Sequence, residues 1–409
     1  MGPAGPRTVG GQGFLADRGR VAAGAGHGHG RGAGCRQGSR PAGGGGGRQR
    51  GRTGEARAGL AAGHPHPRRP RRAQGHCACT EAGQHRSGLI RPAPVNWLEQ
   101  LLQRSKRLLQ QPPARPGQPP RHRVAVVTDS AASLPADWVN QPDTADWLRV
   151  VPMPVMISGQ IYGEGVDDVA SALAIGLAEG RDIKTSRPSP GLLERTYREL
   201  EELGFESIVS IHLSAELSGT IEAAGLAADG VGIPVEVVDT RSAALGQGFA
   251  VIDAVIAAQS GFDRQTVAER ARAAAVCSDV YFYVPSLDQL RRGGRISAAS
   301  GVLGSLLSIK PLLGIRDGAI VPLEKIRTAA RAQARLQQLV VRRIEELDYE
   351  PRVSVHYFGN ESESRAIAET LQQHLSDDVL VTPVPSVLAA HTGLGVIAVV
   401  VGPPAPHLA

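Results

Sequence analysis

The chain has 409 residues, 42% of them apolar, and a formal net charge of +6; that length allows two lobes beside an unstructured segment. The charge averages two unlike parts: residues 1–122 hold 21 Arg or Lys against 4 Asp or Glu, and residues 123–409 hold 24 against 35. No apolar run reaches 18 residues, which excludes a membrane-spanning helix, and residues 1–30 lack the apolar core of a secretory signal.

Half of the glycines, 25 of 50, fall within residues 1–90, with runs such as Gly43 to Gly47. Without apolar periodicity this basic segment cannot offset its chain entropy and is expected to be disordered. It reads as upstream GC-rich sequence translated in frame, with the true start downstream. Phe14 is the only aromatic residue before Trp97, so base stacking has no platform and no specific nucleic-acid binding is expected. Asn96 to Gln111 has the pattern of a short amphipathic helix, and prolines 112, 113, 116, 119 and 120 make a linker. The predicted domains are therefore a disordered extension over 1–122 with a short helix near 96–111, an N-terminal lobe over 123–278, and a C-terminal lobe over 279–402. Cys35, Cys77 and Cys79 lie in the extension and Cys277 in the folded part. Cys77-x-Cys79 has no second ligand pair at zinc-site spacing, so neither a metal nor another cofactor is expected. One thiol in the folded part argues against a disulfide framework and points to a reducing, cytoplasmic setting.

Arg123 to Ser130 reads as a buried strand ending in hydroxyl and acidic residues, and Val150 to Ile157 as a second strand. Pro190 to Leu203 has helical spacing with Gly204 as a stop. Phe205 to Leu213 is a third strand, Ala223 to Ala228 part of a helix, and Val235 to Val238 a fourth strand. Gln247 to Gln259 and Asp263 to Val276 read as helices. This alternation predicts an α/β lobe, Rossmann-like and mostly parallel, which binds ligands at the carboxyl ends of its strands. From Tyr281 the pattern changes: strands at 281–285 and 309–315, a hairpin turn at Asp317-Gly318, a helix over 328–347, a strand over 352–358, a helix over 362–375, and strands at 379–383 and 395–401. This is a smaller α/β lobe with an antiparallel sheet.

The segment Ile211-His-Leu-Ser-Ala-Glu-Leu-Ser-Gly-Thr220 is the strongest local signal. A strand gives way to hydroxyls around a glycine just before a helix, which is how a chain builds an anion cradle. Ser218 as a plain helix cap is the competing reading. Six separated motifs are Val-Val-Thr-Asp-Ser (126–130), Lys-Thr-Ser-Arg-Pro-Ser (184–189), the 211–220 segment, Arg-Arg-Gly-Gly-Arg-Ile (291–296), Ile-Lys-Pro (309–311) and His-Thr-Gly-x-Gly (391–395). In their order and spacing the chain resembles the DegV family of fatty-acid-binding proteins, which includes the acyl-binding subunits of bacterial fatty acid kinases. The resemblance covers residues 123–402.

It implies a protein that encloses one long-chain fatty acid between two lobes and presents its carboxylate to a separate kinase, without being a catalyst itself. By resemblance, Thr185 and Ser218 hold the carboxylate with the Gly219 N–H, and His391 approaches it. Arg295 and Arg327 face the kinase, and Asp129 and Thr220 support the cradle. Three positions depart from the family pattern: Arg187 replaces a glutamine, Leu394 a proline, and Thr240 a serine. The alternative function is a serine hydrolase of acyl esters, with Ser218 as nucleophile, His391 as base and Asp129 or Asp239 as the orienting acid. Ser218 is not in a G-x-S-x-G elbow, and no Walker pattern is present for a phosphate-binding enzyme. A DNA-binding regulator is disfavoured by the acidic folded part.

Overall fold

The computed structural model describes residues 122–163, 168–296 and 309–405. The extension up to residue 121, with its predicted helix and proline linker, lies outside the described residues.

Strand β1 (Val124–Asp129) pairs in parallel with β2 (Leu148–Val151) and β6 (Ser207–His212), and β6 pairs with β7 (Val235–Asp239), giving the order β2-β1-β6-β7. Both faces of this sheet are covered, which is why β1 reads as an unbroken apolar run instead of alternating. Ala125 and Val127 pack against helices α2 (Pro190–Glu202) and α3 (Thr220–Ala228). Val124 and Val126 belong to the core on the other face, which includes α4 (Leu245–Gln259) and α5 (Arg264–Val276). Thirteen of the fifteen α4 residues are buried; the helix is apolar on all sides because both sheets surround it.

The second sheet has the order β10-β9-β8-β13-β11-β12. Its strands are β8 (Asp279–Tyr283), β9 (Lys310–Arg316), β10 (Ala319–Ile326), β11 (Val353–Tyr357), β12 (Leu380–Pro383) and β13 (Ile397–Val401). Only β11 and β12 run parallel; the other neighbours are antiparallel. Its outer face is covered by α7 (Ala329–Glu346) and α8 (Glu361–Gln372). Strand alternation divides the side chains: Tyr281 and Tyr283 face that outer layer, while Val280 and Phe282 join the α4 core. One core thus runs continuously from the first sheet to the second.

The reading of Val150 to Ile157 as one strand is corrected. The chain leaves the parallel sheet at Val151, and β3 (Val155–Ile157) starts a separate antiparallel sheet, β4-β3-β5, with β4 (Gln160–Tyr162) and β5 (Ile183–Thr185). Pro152 and Pro154 interrupt the run because neither has an N–H to give a ladder. The helices that go unread in the sequence include α1 (Val169–Ala178), apolar around its circumference, and the seven-residue α9 (Ser386–Thr392). Between α5 and α9 lies the five-residue α6 (Asp288–Arg292).

Polar ties join the two sheets' lobes. Ser133 Oγ lies 3.2 Å from His356 Nδ1, and Ser354 Oγ lies 3.1 Å from its Nε2. Buried Arg352 pairs with Asp253 of α4 at 2.9 Å, donates to the Pro403 carbonyl and stacks over Phe249. The predicted Asp317-Gly318 turn is present, both residues having positive φ. Its tip reaches the first lobe, where Ser214 Oγ donates to the Gly318 carbonyl at 2.7 Å and Arg241 donates to the Asp317 carbonyl.

Candidate functional site

The carboxyl end of β6 opens into the 213–219 loop. The Ser218 N–H and the Leu217 N–H both return to the Ser214 carbonyl, so the loop closes as a tight turn before α3. Gly219 stands at the N-cap of α3 with no side-chain cap hydrogen bond. Ser218 is therefore not the helix cap; its Oγ lies 2.8 Å from Thr220 Oγ1. Thr185 ends β5, and the cap of the following helix is Ser189, which accepts from the Leu192 N–H. His391 sits on α9 with its Nε2 2.8 Å from Thr185 Oγ1. The other side of the ring lies against Gly293, where a Cβ would stand 2.3 Å from Nδ1.

These pieces meet at one cavity of about 820 Å³, its open mouth included. Thr185, Arg187, Ser218, Arg295 and His391 line it, drawn from both lobes. The rest of the wall is mostly apolar, with Leu213, Leu217, Phe282, Ile315, Val384 and Val387 among its members. Ile315 and Ile320, which flank the hairpin tip that is pinned to Ser214, form part of the wall.

Burial pushes the His391 imidazole down to about 4, and the Arg295 charge acts in the same direction. The ring is neutral at pH 7, and one hydrogen bond joins Nε2 to the Thr185 hydroxyl, its donor set by the imidazole tautomer. Arg295 donates through Nε to the Leu217 carbonyl at 3.2 Å, and through Nη1 to the Gly293 carbonyl. Asp129 lies beneath the loop, outside the lining. It accepts from the Leu213 and Ala131 N–H groups and from Gln247, and its Oδ2 is 2.8 Å from His212 Nδ1. The chain continues through Ser210 to Tyr197, whose hydroxyl burial pushes up to about 12. Arg327 is exposed between β10 and α7 and is not among the lining residues.

This arrangement does not assemble a nucleophilic triad. His391 bonds to Thr185, Ser218 bonds to Thr220, and the two carboxylates named for the orienting role are engaged elsewhere. Asp129 holds His212, and Asp239 accepts from the Ala215 and Arg241 N–H groups. Among the described residues no group of three His, Cys, Asp or Glu could hold a metal ion, and no helix is long and apolar enough to cross a membrane. The apolar wall escaped the sequence reading because its members come from several separate segments. Lys310 donates to the Pro285 carbonyl at 2.6 Å.

The DegV model, described as an uncharacterised protein of the DegV family, matches residues 123–403. A DegV domain-containing protein of Streptomyces coelicolor is 41% identical over 285 residues, covering 69% of this chain and 98% of its own. One from Mycobacterium tuberculosis is 36% identical over 284 residues, covering 68% and 96%. Among solved structures, a DegV family protein from Thermus thermophilus, described by its fatty acid binding, superposes with a TM-score of 0.63. It is 32% identical, with 69% of this chain and 99% of that one covered. DegV of Bacillus subtilis, described as a fatty acid binding protein, has a TM-score of 0.62 at 28% identity, with 69% and 99% covered.

Proposed function

The chain belongs to the DegV family, and on that premise we propose that it binds one long-chain fatty acid between its lobes. In this reading Thr185 and Ser218 hold the carboxylate with the Gly219 N–H, and neutral His391 fixes the Thr185 hydroxyl. The observation that carries it is the pairing of a polar end, Thr185 to His391 at 2.8 Å with Ser218 and Arg295 on the same cavity, with an apolar remainder. A buried carboxylate without partners would protonate; two hydroxyls and an N–H satisfy it without a bidentate clamp. The chain supplies the affinity. Each buried CH₂ contributes about 0.8 kcal/mol, so a sixteen-carbon acyl group contributes on the order of 10 kcal/mol before the costs of binding are subtracted.

The protein acts here as a carrier and not as a catalyst: it presents the carboxylate to a partner kinase that forms the acyl phosphate. Arg295 and Arg327 face that partner, and Asp129 and Thr220 support the cradle. A cytoplasmic location belongs to the same proposal and is checked by cell fractionation. The central test is extraction of the purified chain with organic solvent. About one long-chain fatty acid per chain by mass spectrometry is expected; lipid-free protein that also takes up no added fatty acid would sink the reading. The kinase step is tested by adding palmitate, ATP and a fatty acid kinase and trapping the acyl phosphate with hydroxylamine. Absence of hydroxamate removes that part alone.

A further inference from the structure

We propose that Arg187 makes the head of this cavity select a single-chain lipid ending in a phosphate monoester over one ending in a carboxylate. The inference rests on the fatty-acid reading above and concerns which head group the same cavity takes best.

Arg187 lies directly across the backbone at the start of α3. A Cβ on Gly219 would stand 2.2 Å from its Nη1 and 3.2 Å from its guanidinium carbon. The glycine thus lets a guanidinium occupy the mouth of the anion cradle. A second guanidinium, Arg295, reaches the same cavity from the other lobe. Its hydrogen bonds go to the carbonyls of Leu217 and Gly293, and among the described residues no carboxylate pairs with it. Among the described residues the lining contains no Asp or Glu, and His391, pushed down to about 4, adds no charge at pH 7. Among the described residues Arg187 pairs with one carboxylate, Glu222, at 3.3 Å, and that carboxylate is 77% exposed. Such a pair is weak and readily exchanged for a better-placed anion.

The ligand's head therefore meets two positive charges. A carboxylate carries one negative charge and two acceptor oxygens. A phosphate monoester carries about −1.5 to −2 at pH 7 and three strong acceptors. It can take a forked pair of N–H bonds from one guanidinium, leaving acceptors for the second arginine and for the Thr185 and Ser218 hydroxyls. The N-terminus of nine-residue α3 favours the added negative charge. The same terminal phosphate occurs in an acyl phosphate, a mixed anhydride whose phosphate caps the chain directly, and in a monoacyl glycerol phosphate, a monoester where glycerol intervenes.

The test uses the full chain, stripped of lipid, with a fluorescent fatty acid displaced at pH 7.5 by palmitate, hexadecyl phosphate or palmitoyl lysophosphatidate. The parent is expected to prefer a phosphate-headed chain over palmitate by about tenfold. In Arg187→Gln that ratio falls towards one, and Arg187→Lys, which keeps the charge without the fork, lies between. Hexadecyl phosphate ahead of lysophosphatidate assigns the phosphate to the chain end; the reverse order assigns the glycerol-spaced form. A ratio near one in the parent, or an unchanged ratio in Arg187→Gln, overturns the inference while displacement by palmitate still upholds fatty-acid binding. No displacement by any of the three overturns both. Melting curves confirm that each variant is folded.

Discussion

Gly293→Ala probes the head-group site without replacing any residue assigned to the ligand. Gly293 has φ −74° and ψ −12°, a backbone that alanine adopts freely, so the substitution carries no conformational penalty. Its new methyl would stand 2.3 Å from His391 Nδ1, 2.9 Å from Cε1 and 3.2 Å from the Gln289 carbonyl. The imidazole must then move by roughly 1 Å or turn, and a hydrogen bond weakens steeply over such a change. That movement breaks the 2.8 Å hydrogen bond between His391 and Thr185. A net hydrogen bond of this kind is worth about 0.5–1.5 kcal/mol, so palmitate binding should weaken by about two- to tenfold. Gly294→Ala is the control. Gly294 has φ +69° and open space around its would-be Cβ, so alanine there costs about 1–2 kcal/mol of stability without pressing on His391. Displacement of a fluorescent fatty acid reads affinity, and thermal melts read stability. If Gly293→Ala binds palmitate as the parent does, or if both variants lose affinity in proportion to their stability, the Thr185–His391 pair does not organise the head-group site.

Ser218→Ala should retain its fold and lose bound lipid on purification. A hydrogen bond to a charged group is worth about 1.5–3 kcal/mol, or roughly tenfold or more in affinity; the extracted fatty acid per chain measures it. If that variant keeps its lipid but abolishes turnover of a long-chain ester, Ser218 is a nucleophile after all. Burial also holds His356 down to about 3 and His391 to about 4, below the ordinary 6.5. The unfolded chain then takes up protons first, so their contribution to stability is complete above about pH 6.5 and is lost as pH falls through 4 and 3. Melting temperature followed against pH should fall across that window, and His356→Gln should flatten the fall; an identical acid limb would count against the assignment. Asp253→Ala leaves the buried Arg352 guanidinium without its 2.9 Å partner, at a cost of about 3–5 kcal/mol. Urea unfolding measures this loss, and a change under about 1 kcal/mol would mean that the pair does not tie the lobes.

Much of this molecule is written in local pattern. The apolar runs of β1 and β6 and the helical spacing of 190–202 and 329–346 each record which of their own faces is buried. Asp317-Gly318 records its own turn through the two positive φ values it adopts. The Ser218-Gly219-Thr220 junction, the proposed anion cradle, is likewise visible as a local change from strand to helix. Other features depended on distant partners. Whether Ser218 caps a helix or faces a cavity depended on Thr220 taking up its hydroxyl. The role of His391 depended on a threonine 206 residues away and on the bare backbone of Gly293. The split of 150–157 followed from two prolines whose missing N–H groups matter only once a ladder is drawn. The cavity itself has no local code. It is the space that Leu213, Phe282, Ile315 and Val387 leave unfilled when two lobes close around one buried helix, and periodicity reports what a side chain faces without reporting what it fails to touch.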